Sequence, residues 1–239
     1  MKITYLNHSG FIVEYNKAVL LFDYYKGTIP KFSKDMSIYV FVSHKHYDHF
    51  NKEIFSLADE YDNIKFILSK DTKMNEAYMD RLGIIRKARE CIHYVEQNRM
   101  YEFDEHLKVE TFSSTDAGVA FLITLWDRTI YHAGDLNWWT WKGETSEEYI
   151  SMSNRYITEV LKLKGRKIDL SFLVLDPRQE ERFYLGLDFF MRVTVTKWVI
   201  PMHFWEKPDV ILRLKELKVS GMYHNKIIAL TKEGDYVRI

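Results

Sequence analysis

Between Ser43 and His49 the sequence reads Ser-His-Lys-His-Tyr-Asp-His, so three imidazoles and one carboxylate fall within six residues. Neutral imidazole and ionised carboxylate are both ligands for divalent metals. A short loop carrying them can wrap so that His44 and His46 face one cation while Asp48 and His49 face another. The plainer alternative is a solvated, histidine-rich turn. Two later segments end in a similar way. Residues 130–135 run Ile-Tyr-His-Ala-Gly-Asp, with Gly134 permitting a tight approach to Asp135, and residues 199–203 run Val-Ile-Pro-Met-His. A single histidine or aspartate after a strand is more often structural. Three such endings in one chain suggest convergence, because open α/β sheets bind ligands beyond the carboxyl ends of their strands.

The elements that must position these residues are legible as short apolar runs. Residues 38–42 show no polar alternation, as expected of a strand covered on both faces, and the metal-type motif follows directly. Comparable runs lie at 119–126, 129–132, 170–175 and 198–202. Residues 11–15 and 18–22 flank Asn16-Lys17 and predict a hairpin. Ser146 reads as the N-cap of a helix that carries Tyr149, Ile150, Ile157, Val160 and Leu161 towards Gly165. A second helix is predicted from Pro208-Asp209, with Ile211, Leu214 and Leu217 on one face. Weaker helical periodicity occurs at 51–61, 72–82 and 181–193. Strands in hairpins followed by strands alternating with helices predict an α/β chain of mixed sheets with helices outside.

The 239 residues suit one large domain spanning 1–239, with no repeat or linker to divide it. Lysine plus arginine balances aspartate plus glutamate at 34 each, which counts against nucleic acid as a partner. Cys91 is the only cysteine, so an internal disulfide and a thiolate metal cluster are both excluded. No apolar run is long enough for a membrane span and no apolar leader is evident, so a cytoplasmic protein with no membrane partner is expected. Six tryptophans leave open a ring-lined pocket or simply a bulky core.

Taken together, His-x-His-x-Asp-His, the later Gly134-Asp135 and the strand ending in His203 resemble the signature of the metallo-β-lactamase-fold hydrolases, over nearly the whole chain. The opening Asn7-His8-Ser9-Gly10-Phe11, followed by Leu21-Phe22-Asp23, is similar to the branch that includes ascorbate-6-phosphate lactonase. The resemblance implies a four-layer αββα sandwich with metals at one edge. It also implies that His44 and His46 hold a first metal, that Asp48, His49 and His203 hold a second, and that Asp135 bridges them. One ligand of the family pattern is missing. Where a histidine usually precedes a strand, residues 111–118 read Thr-Phe-Ser-Ser-Thr-Asp-Ala-Gly. Either Asp116 supplies an oxygen instead, or the first position is weak or empty.

Around this set, His8 and Asp23 lie in segments that approach the site in the resembling branch, with Asp23 orienting a ligand histidine. His132 either does likewise or is an ordinary strand residue. Asp176 and Arg178 follow another strand and are expected near the site, where Arg178 could grip an anionic group on a small-molecule substrate or form a surface salt bridge. Trp138, Trp139 and Trp141 either wall a cavity or pack in the core. Nitrogen and oxygen ligands without sulfur suit one or two Zn2+, with Mn2+ or Fe2+ as alternatives. The expected activity is hydrolysis of an ester, lactone or phosphodiester-type substrate by metal-activated water, with Asp48 handling protons. A nuclease and a non-catalytic metal or ligand sensor are the competing readings. Oligomeric state is not legible.

Overall fold

A computed structural model describes residues 1–239, which divide into two compact units, Met1–Glu96 with Leu230–Ile239, and Gln97–Ala229. Each unit has its own sheet.

In the first unit the chain forms β1 (Lys2–Asn7), β2 (Gly10–Tyr15), β3 (Ala18–Phe22) and β4 (Ser37–Val42). Then follow α1 (Leu57–Glu60), β5 (Ile64–Ser69), α2 (Glu76–Arg81), α3 (Arg86–Glu90) and β6 (Ile92–Val95). The last strand of the chain, Tyr236–Arg238, pairs antiparallel with β1 and completes a seven-stranded sheet. The hairpin at Asn16 forms as expected, with Asn16 in the left-handed region that such two-residue turns require. From β3 to β6 the pairing is parallel, and β3 is fully buried. Parallel strands start and end together, so the residues after β3 and after β4 emerge on one edge. Ile12, Val19, Val40 and Phe66 join Ala58, Met79 and Ala88 from the helices in one core cluster.

In the second unit, β7 (Met100–Glu102), β8 (Leu107–Ser113), β9 (Val119–Leu125) and β10 (Arg128–His132) run antiparallel. They are followed by α4 (Ser146–Leu161), β11 (Lys167–Val174), α5 (Leu185–Val193), β12 (Val195–Met202) and α6 (Asp209–Glu216). Here β10, β11 and β12 are parallel neighbours, so residues following each of them gather at one sheet edge. Helices α4 and α5 pack together, and α5 lies on β11 and β12.

The N-cap of α4 is Thr145 rather than Ser146. Its hydroxyl accepts from the Glu148 amide while Glu148 reaches back to the Thr145 amide, a reciprocal cap available only at that register. The weak helical signals at 51–61 and 181–193 resolve into a 3-10 turn followed by a helix in each case. The one at 72–82 shortens to α2, capped by Asn75. In α6, Ile211 and Leu214 are buried as expected, while Leu217 already lies beyond the helix end. No helix is long and apolar enough to cross a membrane.

Candidate functional site

In the first unit, the loop after β4 is organised around Asp23, the residue that follows β3. Its amide donates to the Phe41 carbonyl at 2.9 Å, and its φ of 39° turns the side chain away from the strand direction. The fully buried carboxylate then collects three donors. The Ser43 amide reaches Oδ1 at 2.7 Å, the Ser43 hydroxyl reaches Oδ2 at 2.6 Å, and His49 Nδ1 reaches Oδ2 at 2.7 Å. His44 Nδ1 lies 2.9 Å from the Ser43 oxygen. Asp23 thus holds the His49 ring and the head of the loop, and Ser43 is an addition that sequence reasoning used only as the start of the motif.

His8 sits in the left-handed region at the β1–β2 turn, with its amide donating to the Tyr5 hydroxyl. Its Nε2 is 3.4 Å from Asp48 Oδ2. Burial raises the Asp48 pKa, but the His8 hydrogen bond and the charges of His49 and His8 outweigh it and bring the carboxyl down to about 2. Ligand-type atoms of His8, Asp48 and His49 lie within 4.8 Å of one another, as do those of His44 and His49. The His46 ring stands edge-on to His44 at 4.5 Å and is exposed. All six residues predicted from this half of the sequence therefore share one loop edge.

In the second unit, Asp135, Asp176 and His203 follow β10, β11 and β12. His203 is the hub. Its Nδ1 is 3.0 Å from Asp176 Oδ2, and its Nε2 is 3.3 Å from Asp135 Oδ1. Asp176 is fully buried and also accepts from Trp205 Nε1 at 3.3 Å and from the Arg178 amide and Nε at 2.9 Å. Burial opposes its ionisation, yet the bonds from His203 and Arg178 hold its carboxyl at about 2. Arg178 grips Asp176 and lies 4.7 Å from the Trp205 ring, so its salt bridge is to a buried carboxylate and not a surface pair. The turn after β12 places His203, Trp205 and Glu206 at φ 65°, 48° and 57°. A non-glycine residue there costs of the order of 1 kcal/mol, which the Trp205–Asp176 bond and its stack under Arg178 offset.

Asp135 is set by a bracket that sequence reasoning missed. The Thr115 hydroxyl donates to the Asn137 carbonyl at 2.6 Å and accepts from the Asn137 amide at 3.0 Å. The Asn137 side chain donates to Gln179, and Trp139 Nε1 donates to the Asp135 carbonyl. His132 Nδ1 accepts from the Gly134 amide at 3.1 Å, so His132 braces the turn that presents Asp135 and does not orient a ligand histidine through that nitrogen. Asp116 is exposed, and a carboxylate oxygen of it lies within 4.8 Å of one from Asp135. Trp139 is buried with its ring 5.6 Å from His203. Trp139 and Trp141 are parallel and wall an open cavity of about 510 Å³ against Glu144, Glu147, Met152 and Arg155, whereas Trp138 packs against Tyr156 and Phe189.

The donor set fits a divalent cation. The single hydroxyl proton of Ser43 must point at Asp23, 2.6 Å away, so the Ser43 oxygen can only accept from His44 Nδ1–H. His49 and His203 likewise give Nδ1–H to a carboxylate. In all three rings Nδ1 is engaged by an oxygen, which leaves Nε2 as the nitrogen whose lone pair would be offered to a metal.

Residues 2–142 match the family model of the beta-lactamase superfamily domain, and the chain belongs to that superfamily. No curated protein matches the sequence. Among solved structures it is similar to Igni18, a metallo hydrolase from the archaeon Ignicoccus hospitalis, at 18% identity and TM-score 0.62, covering 99% of this chain and 97% of that one. It is similar to a putative metal-dependent hydrolase from Parabacteroides distasonis at 17% identity and TM-score 0.62, covering 97% and 93%. It is also similar to the short form of human tRNase Z at 13% identity and TM-score 0.59, covering 100% and 99%. These likenesses establish the mixed α/β metallo-β-lactamase fold.

Proposed function

We propose that this chain is a metal-dependent hydrolase acting on a small-molecule ester, lactone or phosphodiester. The observation that carries the reading is the orientation of His44, His49 and His203, each with Nδ1 engaged by an oxygen so that Nε2 is the nitrogen left to hold a metal. His44 and His46 would hold one cation, Asp48, His49 and His203 a second, and Asp135 both, with Asp116 completing the first set in place of a histidine. Zn2+ suits these nitrogen and oxygen donors, and Mn2+ or Fe2+ would be accepted by the same set. A divalent cation bound there lowers the pKa of water towards neutrality and polarises the scissile carbonyl or phosphoryl oxygen.

The chain's own residues do the rest. Asp48, ionised at neutral pH, accepts a hydrogen bond from the attacking water at a carboxylate oxygen, and His8 Nε2 fixes the angle of that carboxylate. A carboxyl with so low a pKa stays ionised and orients the water as a hydrogen-bond acceptor. Asp23 and Asp176 hold the ligand rings at the angle the reaction needs. Trp139 and Trp141 offer ring faces to a substrate entering the cavity that they line, and Arg178, half exposed, offers a cation to an anionic substrate group. The His8-Ser9-Gly10 opening supports the lactonase-like branch, and a lone cysteine suits a cytoplasmic enzyme.

The test is metal content by plasma mass spectrometry beside His46→Ala, together with a panel of esters, lactones and phosphodiesters. About two equivalents, reduced in the variant, with turnover of at least one class, is the expected result. No metal even after reconstitution, or full occupancy with no turnover, ends the hydrolase reading. A nuclease would instead retard RNA or DNA in a low-salt gel shift, which the balanced charge weighs against. A sensor is favoured only by the missing histidine; Asp48→Asn would then weaken metal binding with no rate to lose.

A further inference from the structure

Three features remain after the site is assigned: the acidic and tryptophan-lined cavity beside α4, the clamp of Arg178 and Trp205 on Asp176, and the serine at the head of the ligand loop. The last is carried furthest by its geometry. Asp23 Oδ2 receives two different hydrogens, one from His49 Nδ1 at 2.7 Å and one from the Ser43 hydroxyl at 2.6 Å. The Ser43 oxygen lies 2.9 Å from His44 Nδ1. Asp23, Ser43, His44 and His49 are all fully buried, so water cannot substitute for any link. The Ser43 amide, at 2.7 Å from Oδ1, pins the carboxylate so that Oδ2 faces both partners.

We propose that Ser43 is a positioning residue that relays the Asp23 carboxylate to His44, so that one buried carboxylate fixes the tautomer of two ligand histidines at once. The relay has a direction. A hydroxyl owns one proton, and placing it on His44 would leave two bare oxygens 2.6 Å apart, a repulsive contact in a low-dielectric interior. The proton therefore goes to Asp23, and His44 must donate Nδ1–H. Asp23 acts on His49 directly and on His44 through one intervening oxygen. Loss of the hydroxyl therefore releases His44 alone, whereas loss of the carboxylate releases both. The inference rests on the reading of His44 and His49 as ligands, but its first test does not need a metal.

The experiment is long-range 1H–15N correlation of histidine-labelled, metal-free protein, in wild type, Ser43→Ala and Ser43→Thr, followed by cobalt(II) titration of each. In wild type, His44 and His49 are expected in the Nδ1–H form. In Ser43→Ala, His44 is expected to move towards the Nε2–H form while His49 keeps its signals, and Ser43→Thr is expected to restore His44. The His49 signals report in the same spectrum whether the loop is still folded. In the titration, Ser43→Ala should weaken one cobalt equivalent by about 10- to 100-fold and spare the other, the usual effect of losing an outer hydrogen-bond partner. The proposal is overturned if His44 is Nε2–H in wild type, if Ser43→Ala leaves it unchanged, or if His44 and His49 change together. Wild type that shows both Nδ1–H tautomers yet takes up no metal would instead remove the hydrolase reading and leave the relay standing.

Discussion

The two units fix their ligand-type residues by opposite means. In the first, His44, His46, Asp48 and His49 lie within one loop, and a single carboxylate from the neighbouring parallel strand commits it through the Ser43 amide, the Ser43 hydroxyl and His49. In the second, Asp135 and His203 come from β10 and β12, well apart in sequence. They are held by separate devices, Asp176 with Arg178 and Trp205 for His203, and Thr115 with Asn137 and Gln179 for Asp135. The first arrangement concentrates the consequence of error in one residue. The second spreads it over several.

That contrast can be broken by measurement. Asp23→Asn should have the largest effect, about 3 kcal/mol lost in urea unfolding of metal-free protein, because an amide cannot accept from three buried donors at once. A loss below about 1 kcal/mol would mean that the first unit is not organised through this carboxylate. Asp176→Asn should cost less, about 2 kcal/mol, since Arg178 and Trp205 are partly exposed and can turn to water. Equal or greater loss than for Asp23→Asn would reverse the comparison. Gly186→Ala should come next. A Cβ there would collide with Asn137 Oδ1, and Asn137 is buried and tied to Gln179, so about 1.5 kcal/mol is expected from thermal unfolding. If Gly186→Ala is neutral, the Thr115–Asn137 bracket is looser than its bonds imply. Asp116→Asn should change stability by less than about 0.5 kcal/mol, because the residue is exposed, while lowering the bound metal by up to one equivalent. Unchanged metal content would remove Asp116 from the ligand set.

The same contrast explains what could be read from the sequence. The ligand-type residues of the first unit were legible because they are neighbours in the chain and directly follow β4, an uninterrupted apolar run. Asp135 and His203 were legible only as strand endings. Their supports were not, because Thr115, Asn137 and Gln179 are ordinary polar residues whose meaning lies in contacts across 22 and 42 positions. Strands buried on both faces, β3, β4 and β9, announced themselves. β8 did not, although Leu107, Val109 and Thr111 alternate with less buried partners, the pattern of a strand with one covered face. The α4 cap was displaced by one residue because two adjacent hydroxyls compete for the position and only Thr145 has Glu148 at the reciprocal spacing.

The antiparallel pairing of Lys2, Ile3 and Thr4 with Arg238, Val237 and Tyr236 carries a practical consequence. This short strand is the selvedge of the first sheet, and anyone who trims it for expression exposes the hydrogen-bonding rim of β1. Copies with that rim uncovered would be prone to join edge to edge, and the harm would show as precipitation long before it showed at the histidines.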